Sequence, residues 1–490
     1  MFKKPTRRQF LIRRILLSVL ATFSVIVIAT VTILFMLGYR IDSGNGRLEQ
    51  GALLQFDSTP NGADVYLDGV FTGVRTAGKQ TVIAGERTVK MVKYGYQDWS
   101  RTLDIAAGTL TWLDYIRFVP TNRPVTSVAT YATLSSAKIS PDSKWALVQE
   151  KADIPSFSLL DLRSNDVKST PLTIPPTQYG DAAVDGTAHT FTPQSWDSGG
   201  RYVLVSHNSN GHTEWIVLDT QDSNNVRNIT RIFSIDFKNI LFASTNGRVL
   251  YGLTSDGTIR KIDLSDQTVS NALISQVESF DVFDNTTICY VGLDPNDATK
   301  RVAGVYRDGD ESPHILRVVD STDITLHIAV GRYFSDDYVA LSQDGIVTVL
   351  KGRYPGSSSQ DTSSLNQFAI FELDGVVSAL SISPKGDYVV AQSGVTFKSY
   401  EIEHTRTATG MIATSNNIPA SPLKWLDIAH LWNDDNGMLV MRDFDGSNTS
   451  SIMNVVPGFD ASLSQNGRFF YGVGKSDNAY QFQRIKMILD

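Results

Sequence analysis

The chain has 490 residues, more than one compact domain usually holds, with 51 acidic against 44 basic residues and a net charge of −7. The first 14 residues carry six positive charges and no negative one, which leaves −13 on the rest. So acidic a remainder argues against a nucleic-acid partner, which needs basic patches to neutralise phosphate, and against tight docking on anionic headgroups.

The stretch from Ile15 to Gly38 contains no charged residue. As a helix rising about 1.5 Å per residue it would span about 36 Å, enough to cross a hydrocarbon core of about 30 Å. Lys3, Lys4, Arg7, Arg8, Arg13 and Arg14 stand before it, and Arg40 is balanced by Asp42. Positive flanks stay on the cytoplasmic side, so the N-terminus is expected inside and everything after about Tyr39 exported. A cleaved signal peptide would have an apolar core of about 7–15 residues ending in small residues. This run is longer and ends Phe35-Met36-Leu37-Gly38-Tyr39, so an uncleaved anchor is the reading.

The expected division is a basic cytoplasmic tail (1–14), a transmembrane helix (15–38), a linker (39–50), a small β module (51–120) and a long repeat region (121–490). Within 51–120, strand-like runs at Phe56, Val65-Tyr66-Leu67, Val89–Met91 and Tyr115–Phe118 are separated by turn signals at Pro60-Asn61-Gly62, Asp68-Gly69, Ala84-Gly85-Glu86 and Lys93-Tyr94-Gly95-Tyr96. Asp68-Gly69 suits a tight hairpin. The run Ser58-Thr59-Pro60-Asn61-Gly62-Ala63-Asp64-Val65-Tyr66-Leu67-Asp68-Gly69, with Gly73, Gly85-Glu86-Arg87-Thr88-Val89 and Gly95-Tyr96 behind it, resembles a PEGA domain over about 70 residues. It departs from that family at Asn61, at Arg87 where His is usual, and at Arg75-Thr76-Ala77. The resemblance implies a small extracytoplasmic β-sandwich without catalytic residues.

From about residue 121 the chain repeats: an apolar strand, a Ser-Pro-Asp-Gly-like turn, a second apolar strand, then a third ending in an acidic residue. Clear copies run 137–148, 195–205, 380–390 and 461–471, and weaker ones begin near Ile240, Phe280, Val330 and Trp425. Third strands include Ser158–Leu162, Trp215–Asp219 and Ile259–Leu264. A period of roughly 40–50 residues is that of propeller blades. The copies resemble the β-propeller repeats of the TolB and dipeptidyl-peptidase type. Ser140-Pro141 and Ser383-Pro384 carry its Ser-Pro pair, and the WD dipeptide is absent at the expected positions. The expected fold is therefore all-β with one N-terminal transmembrane helix: a PEGA-like β-sandwich followed by a β-propeller of eight blades, with seven as the alternative count. The segment Arg123–Thr130 is expected to close the ring as the outer strand of the last blade. Two polar insertions, 169–192 and 356–364, break the period.

No residue is assigned a catalytic, cofactor-binding or metal-binding role. Gly472-Val473-Gly474-Lys475-Ser476 resembles the end of a phosphate loop, but Phe469 stands where its first glycine must be. His207 and His212 flank Asn208-Ser209-Asn210-Gly211 and read as a polar hairpin tip. Asp443-Phe444-Asp445-Gly446-Ser447-Asn448 lacks the far acidic ligand of a calcium loop and reads as a turn. The single cysteine, Cys289, lies in an apolar run and excludes an intramolecular disulfide. The seven tryptophans read chiefly as core. No cofactor is expected. The partners expected are the membrane, through 15–38, and an envelope or surface protein or a cell-wall glycan. The function expected is a membrane-anchored extracytoplasmic binding or scaffold protein of the cell envelope. The alternative is a propeller hydrolase or lyase acting on cell-wall polymer.

Overall fold

The computed structural model describes residues 7–36, 38–41, 48–181, 186–243, 246–355, 364–412 and 421–489. They fall into two units, Met1–Asn122 and Arg123–Asp490.

In the first unit a helix runs Arg7–Met36 with no Gly or Pro inside it. Its span Leu11–Met36 has a mean hydropathy of 2.6 and none of its hydropathic window is buried by protein. The helix starts earlier than the apolar run, because nothing between Arg7 and Arg14 breaks it. It ends at Met36 rather than 38, because Gly38 turns left-handed at φ 83° and its N–H bonds to the Phe35 carbonyl at 3.1 Å. Thr30 donates its hydroxyl to the Ile26 carbonyl at 2.8 Å, within the helix. The stretch 39–50 is more than a linker: Tyr39–Ile41 pairs antiparallel with the start of Leu48–Thr59.

Two four-stranded sheets follow. One joins Tyr39–Ile41, Leu48–Thr59, Gly78–Ile83 and Leu110–Arg117; the other is ordered Val70–Arg75, Asp64–Leu67, Gly85–Val92, Trp99–Ile105. Leu54, Phe56, Val65, Val89, Met91, Trp99, Leu113 and Phe118 are buried between them. Their alternation along each strand is what one buried sheet face requires. Asp68 and Gly69 both adopt positive φ, 50° and 82°, so the hairpin between Leu67 and Val70 forms as its sequence suggests. Arg87 pairs with Asp68 at 3.0 Å.

The second unit holds eight four-stranded antiparallel sheets among the described residues. In seven of them four consecutive strands pair in order, spanning 136–173, 189–228, 237–269, 277–319, 326–372, 379–411 and 424–454. The eighth combines Ser462–Leu463, Phe469–Ser476 and Ala479–Lys486 with Thr126–Tyr131. The N-terminal segment therefore supplies the outer strand of the last sheet, as expected. The first strands of the first and second, third and fourth, and fifth and sixth sheets lie side by side. Shared apolar cores join successive sheets. Leu147 and Phe157 pack with Phe191 and Val205; Leu204 and Trp215 with Phe237 and Leu250; Tyr251 and Leu253 with Ile288 and Tyr290. Val291 and Ala303 pack with Val339 and Leu341; Ala340 and Val349 with Val389 and Tyr400; Val390 and Phe397 with Leu431. Gln483 of the eighth sheet donates to the Asn454 carbonyl of the seventh at 2.6 Å, Tyr471 and Phe482 return to Ala137 and Leu160 of the first, and the ring closes. Closure leaves a twisted sheet stack with no open ends.

The repeat motif has a physical basis. Ser140 Oγ accepts the Trp145 N–H at 3.0 Å, Ser383 Oγ that of Tyr388 at 3.0 Å, and Ser464 Oγ that of Phe469 at 2.9 Å. In the second sheet Asp197 Oδ1 does the same for Tyr202 at 2.6 Å. Each acceptor pins the first hairpin of its sheet by satisfying an N–H that the turn leaves free. Asp161, Asp219 and Asp263 likewise accept the N–H two residues on, from Arg163, Gln221 and Ser265, where the third strand turns.

Candidate functional site

The insertion between the first two sheets is shorter than its composition suggests. Lys168–Thr173 is the outer strand of the first sheet, and the inner strand of the second, His189–Trp196, begins inside the expected 169–192. Between them a short 3₁₀ turn at Pro176–Gln178 is tied, through Thr177, Gln178 and Gly180, to Arg231, Asn228 and Glu214. The 356–363 part of the second insertion lies outside the described residues.

His207 is not at a hairpin tip. It lies on the strand Tyr202–Ser209 and is fully buried, and the tip is Asn210-Gly211, with φ of 48° and 81°. His212 begins the next strand and is exposed. Strand register brings His189 opposite Ser209 and His207 opposite Glu214. His207 Nδ1 lies 2.9 Å from Glu214 Oε2, and His207 Nε2 lies 3.0 Å from His189 Nδ1. Burial lowers the His207 pKa below the usual imidazole value, against the opposing pull of Glu214, so the ring is neutral at pH 7. The neutral arrangement that satisfies both bonds has His207 donate from Nδ1 to Glu214 and accept at Nε2 from His189. His189, half-buried, then presents Nε2 as an acceptor.

The same Glu214 clamps the insertion. Its Oε2 accepts the Gly180 N–H at 2.7 Å and its Oε1 pairs with Arg231 Nε at 3.1 Å. Arg231 donates to the Thr177 carbonyl at 3.1 Å, and Asn228 donates to that of Gln178 at 2.9 Å. Tyr179 meets the rings of His189, Phe191 and His207 edge-on, with centroids 5.6, 5.0 and 5.0 Å away. The result is an ordered, polar-lined platform at one end of the second sheet.

A second charged feature stands on the inner strands. Asp460 lies 4.0 Å from Lys138 Nζ and 3.7 Å from Lys424 Nζ, so one carboxylate is shared by two ammonium groups from the first and seventh sheets. Among the described residues no group of three or more His, Cys, Asp and Glu could hold a metal ion.

Other sequence features resolve plainly. Gly472–Ser476 lies in the strand Phe469–Ser476, with the Gln483 amide filling the space where a Gly474 side chain would stand. Asp443 and Asp445 accept from Asn448 and Ser447 within their own turn. Cys289 is buried and its thiol is pushed up to about 12 by that burial. Trp99, Trp196, Trp215 and Trp432 are core, while Trp112 is 44% exposed.

With this geometry in hand, the comparisons with known proteins are informative for the first unit. Residues 52–122 match the PEGA domain. No curated protein matches the chain. Among solved structures, the chain is similar to the C-terminal WD40 domain of Sif2, at 12% identity and a TM-score of 0.49, covering 75% of this chain and 99% of that one. It is also similar to the β-propeller domain of Myceliophteria thermophila Cps50 (Swd1), at 12% identity and a TM-score of 0.40, covering 75% and 100%. The described residues combine an apolar N-terminal helix, a segment that matches the PEGA domain and, from their own sheet topology and shared cores, a β-propeller.

Proposed function

We propose that this chain is a membrane-anchored, extracytoplasmic binding or scaffold protein of the cell envelope. In this reading residues 1–14 stay in the cytoplasm, the helix crosses the bilayer, and the PEGA domain and propeller stand outside. The observation that carries the proposal is the helix itself: its side chains from Leu11 to Met36 are left to solvent along almost all of its length, with Leu16 64% and Phe35 67% exposed, and it is long and apolar enough for a lipid core to cover it. Six basic residues before the helix support an inside N-terminus.

The propeller would present a protein- or glycan-binding surface. The platform of Tyr179, His189 and the insertion is the favoured place, because long loops held on a rigid ring are where binding groups are displayed. Photo-crosslinking from position 190, an exposed residue beside His189, in intact cells followed by mass spectrometry tests this. The reading requires an envelope protein or wall glycan to be captured there, and none from position 151. Equal capture from both positions, or capture of cytoplasmic proteins, would overturn it.

A further inference from the structure

At the opposite end of the second sheet from the histidine platform, a cleft of about 300 Å³ opens against the third sheet. Its walls are Tyr202, Val217, Asn225 and Arg227 on one side and Asn246, Gly247, Arg248, Leu264 and Ser265 on the other. That volume is at the small end of ligand sites, about 300–1,000 Å³.

The lining runs against the charge of the chain. It holds two guanidinium groups and no carboxylate, in a protein of net charge −7. The Arg227 guanidinium bonds only to neutral oxygens, Asn225 Oδ1 at 3.2 Å and the Leu264 carbonyl at 2.8 Å. The carboxylates behind the walls are already engaged. Asp219 is fully buried and bound to Arg201, Asn225 and the Gln221 N–H. Asp263 accepts the N–H groups of Ser265 and Asp266. Among the described residues no carboxylate lines the cleft or bonds to Arg227, and a guanidinium fork is matched by the two oxygens of a carboxylate or phosphate. The Asn246 carboxamide and the Ser265 hydroxyl add neutral groups suited to hydroxyls.

The shape is fixed by a close approach. Gly247 sits at φ 64°, and a Cβ there would lie 2.4 Å from the Tyr202 ring, whose other neighbour is the Arg201 guanidinium 5.1 Å from its centroid. Only glycine lets the third-sheet hairpin close on Tyr202 and leave the cleft open.

We infer that this cleft binds a small hydroxylated oxyanion, a uronic acid or a polyol phosphate, with Arg227 and Arg248 holding the acid group and Asn246 and Ser265 the hydroxyls. The inference rests on the reading of the propeller as a binding ring. It stands apart from the histidine platform, so loss of crosslinking there with anion binding intact would defeat the platform alone.

The experiment uses the full chain in detergent micelles, with saturation-transfer NMR and calorimetry against glucuronate, glycerol 3-phosphate and glucose. Glucuronate, glycerol 3-phosphate or both should bind, with affinity falling as salt rises, and glucose should not. Glucuronate alone would point to an acidic glycan as the source, and glycerol 3-phosphate alone to a phosphodiester polymer. Arg248→Gln, on an exposed side chain, should weaken binding by about tenfold or more, and Arg227→Gln by at least as much, since a charge-assisted hydrogen bond is lost in each. Melting temperatures report folding, and Arg248→Gln decides the matter if Arg227→Gln unfolds. No binding by either anion, glucose binding as tightly, or unchanged affinity in Arg248→Gln would overturn the assignment.

Discussion

Tyr480 pairs with Tyr131 across an antiparallel ladder that joins the last strand of the chain to the first strand of the ring. The same ladder places Phe482, fully buried, opposite Ala129, and Phe482 packs into the core shared by the eighth and first sheets. The two ends of the propeller chain thus act as a clasp. Phe482→Ala should cost about 3–5 kcal/mol, as for other fully buried aromatics, whereas Val125→Ala, at a half-exposed position just outside the strand, should change stability by less than about 0.5 kcal/mol. Deleting 126–131 should lower the melting temperature more than either. Equal tolerance of all three, measured by thermal denaturation, would mean that the clasp does not hold the ring.

The hairpin acceptor gives a second expectation. Ser383 is buried, and Ser383→Ala leaves the Tyr388 N–H without its 3.0 Å partner. An orphaned buried donor costs about 1–3 kcal/mol. Ser383→Asp should recover part of that loss, because Asp197 fills the same role in the second sheet. Urea denaturation of the two variants distinguishes a lost hydrogen bond from a lost hydroxyl volume, which aspartate would not restore.

Two histidines should bend the stability profile in opposite directions. Burial lowers the His207 pKa below its ordinary 6.5, so below about pH 6.5 the unfolded chain takes up a proton that the folded one refuses, and stability falls with acid. His404 is raised by its hydrogen bond to Glu401; its contribution is present below pH 6.5 and is lost as pH rises through its folded value. Melting temperatures between about pH 5 and 8 should therefore show a shallower acid decline in His207→Gln and a steeper one in His404→Gln. Parallel curves for both variants and the parent would show that neither imidazole is held as described.

Arg442 tests how a buried charge is tolerated. It is 2% exposed and donates to Asn433 Oδ1 at 2.6 Å and to the Met411 carbonyl at 3.0 Å, while burial lowers its pKa. Asn433→Ala should cost about 1.5–3 kcal/mol by removing one of the guanidinium's two acceptors, and Arg442→Met should cost less than that, because it removes the charge along with the need for a partner. A larger loss in Arg442→Met, by chemical denaturation, would assign the pair a net stabilising role.

Much of this architecture could be read from local chemistry. Ser140 and Ser383 announce their hairpins because each acts within five residues of itself, and Asp161, Asp219 and Asp263 mark third-strand ends for the same reason. The β-branched composition of Val125–Thr130, after Pro124, likewise points to the closing strand. The platform was not readable. His189, His207 and Glu214 stand on three different strands, and only the register of the second sheet brings their side chains together. His207 looked like a tip residue because the tip, Asn210-Gly211, lies just beyond it. The cleft draws on turns from two adjacent sheets, a juxtaposition set by ring packing rather than by spacing along the chain. The pairing of Tyr39–Ile41 with Leu48–Thr59 was missed for a simpler cause: three residues carry too little pattern to be told from a linker.

Membrane topology is the central claim, and the single cysteine makes it measurable. Cys289 is buried with its thiol pushed up to about 12, so the parent chain should resist a membrane-impermeant maleimide. Lys151 is exposed on the propeller, and Lys151→Cys adds one accessible thiol. In intact cells stripped of any wall, the variant should be labelled without lysis while the full-length chain stays in the membrane fraction. Labelling only after lysis would place the propeller inside, and a labelled soluble product beginning near residue 40 would show that the helix is removed rather than retained.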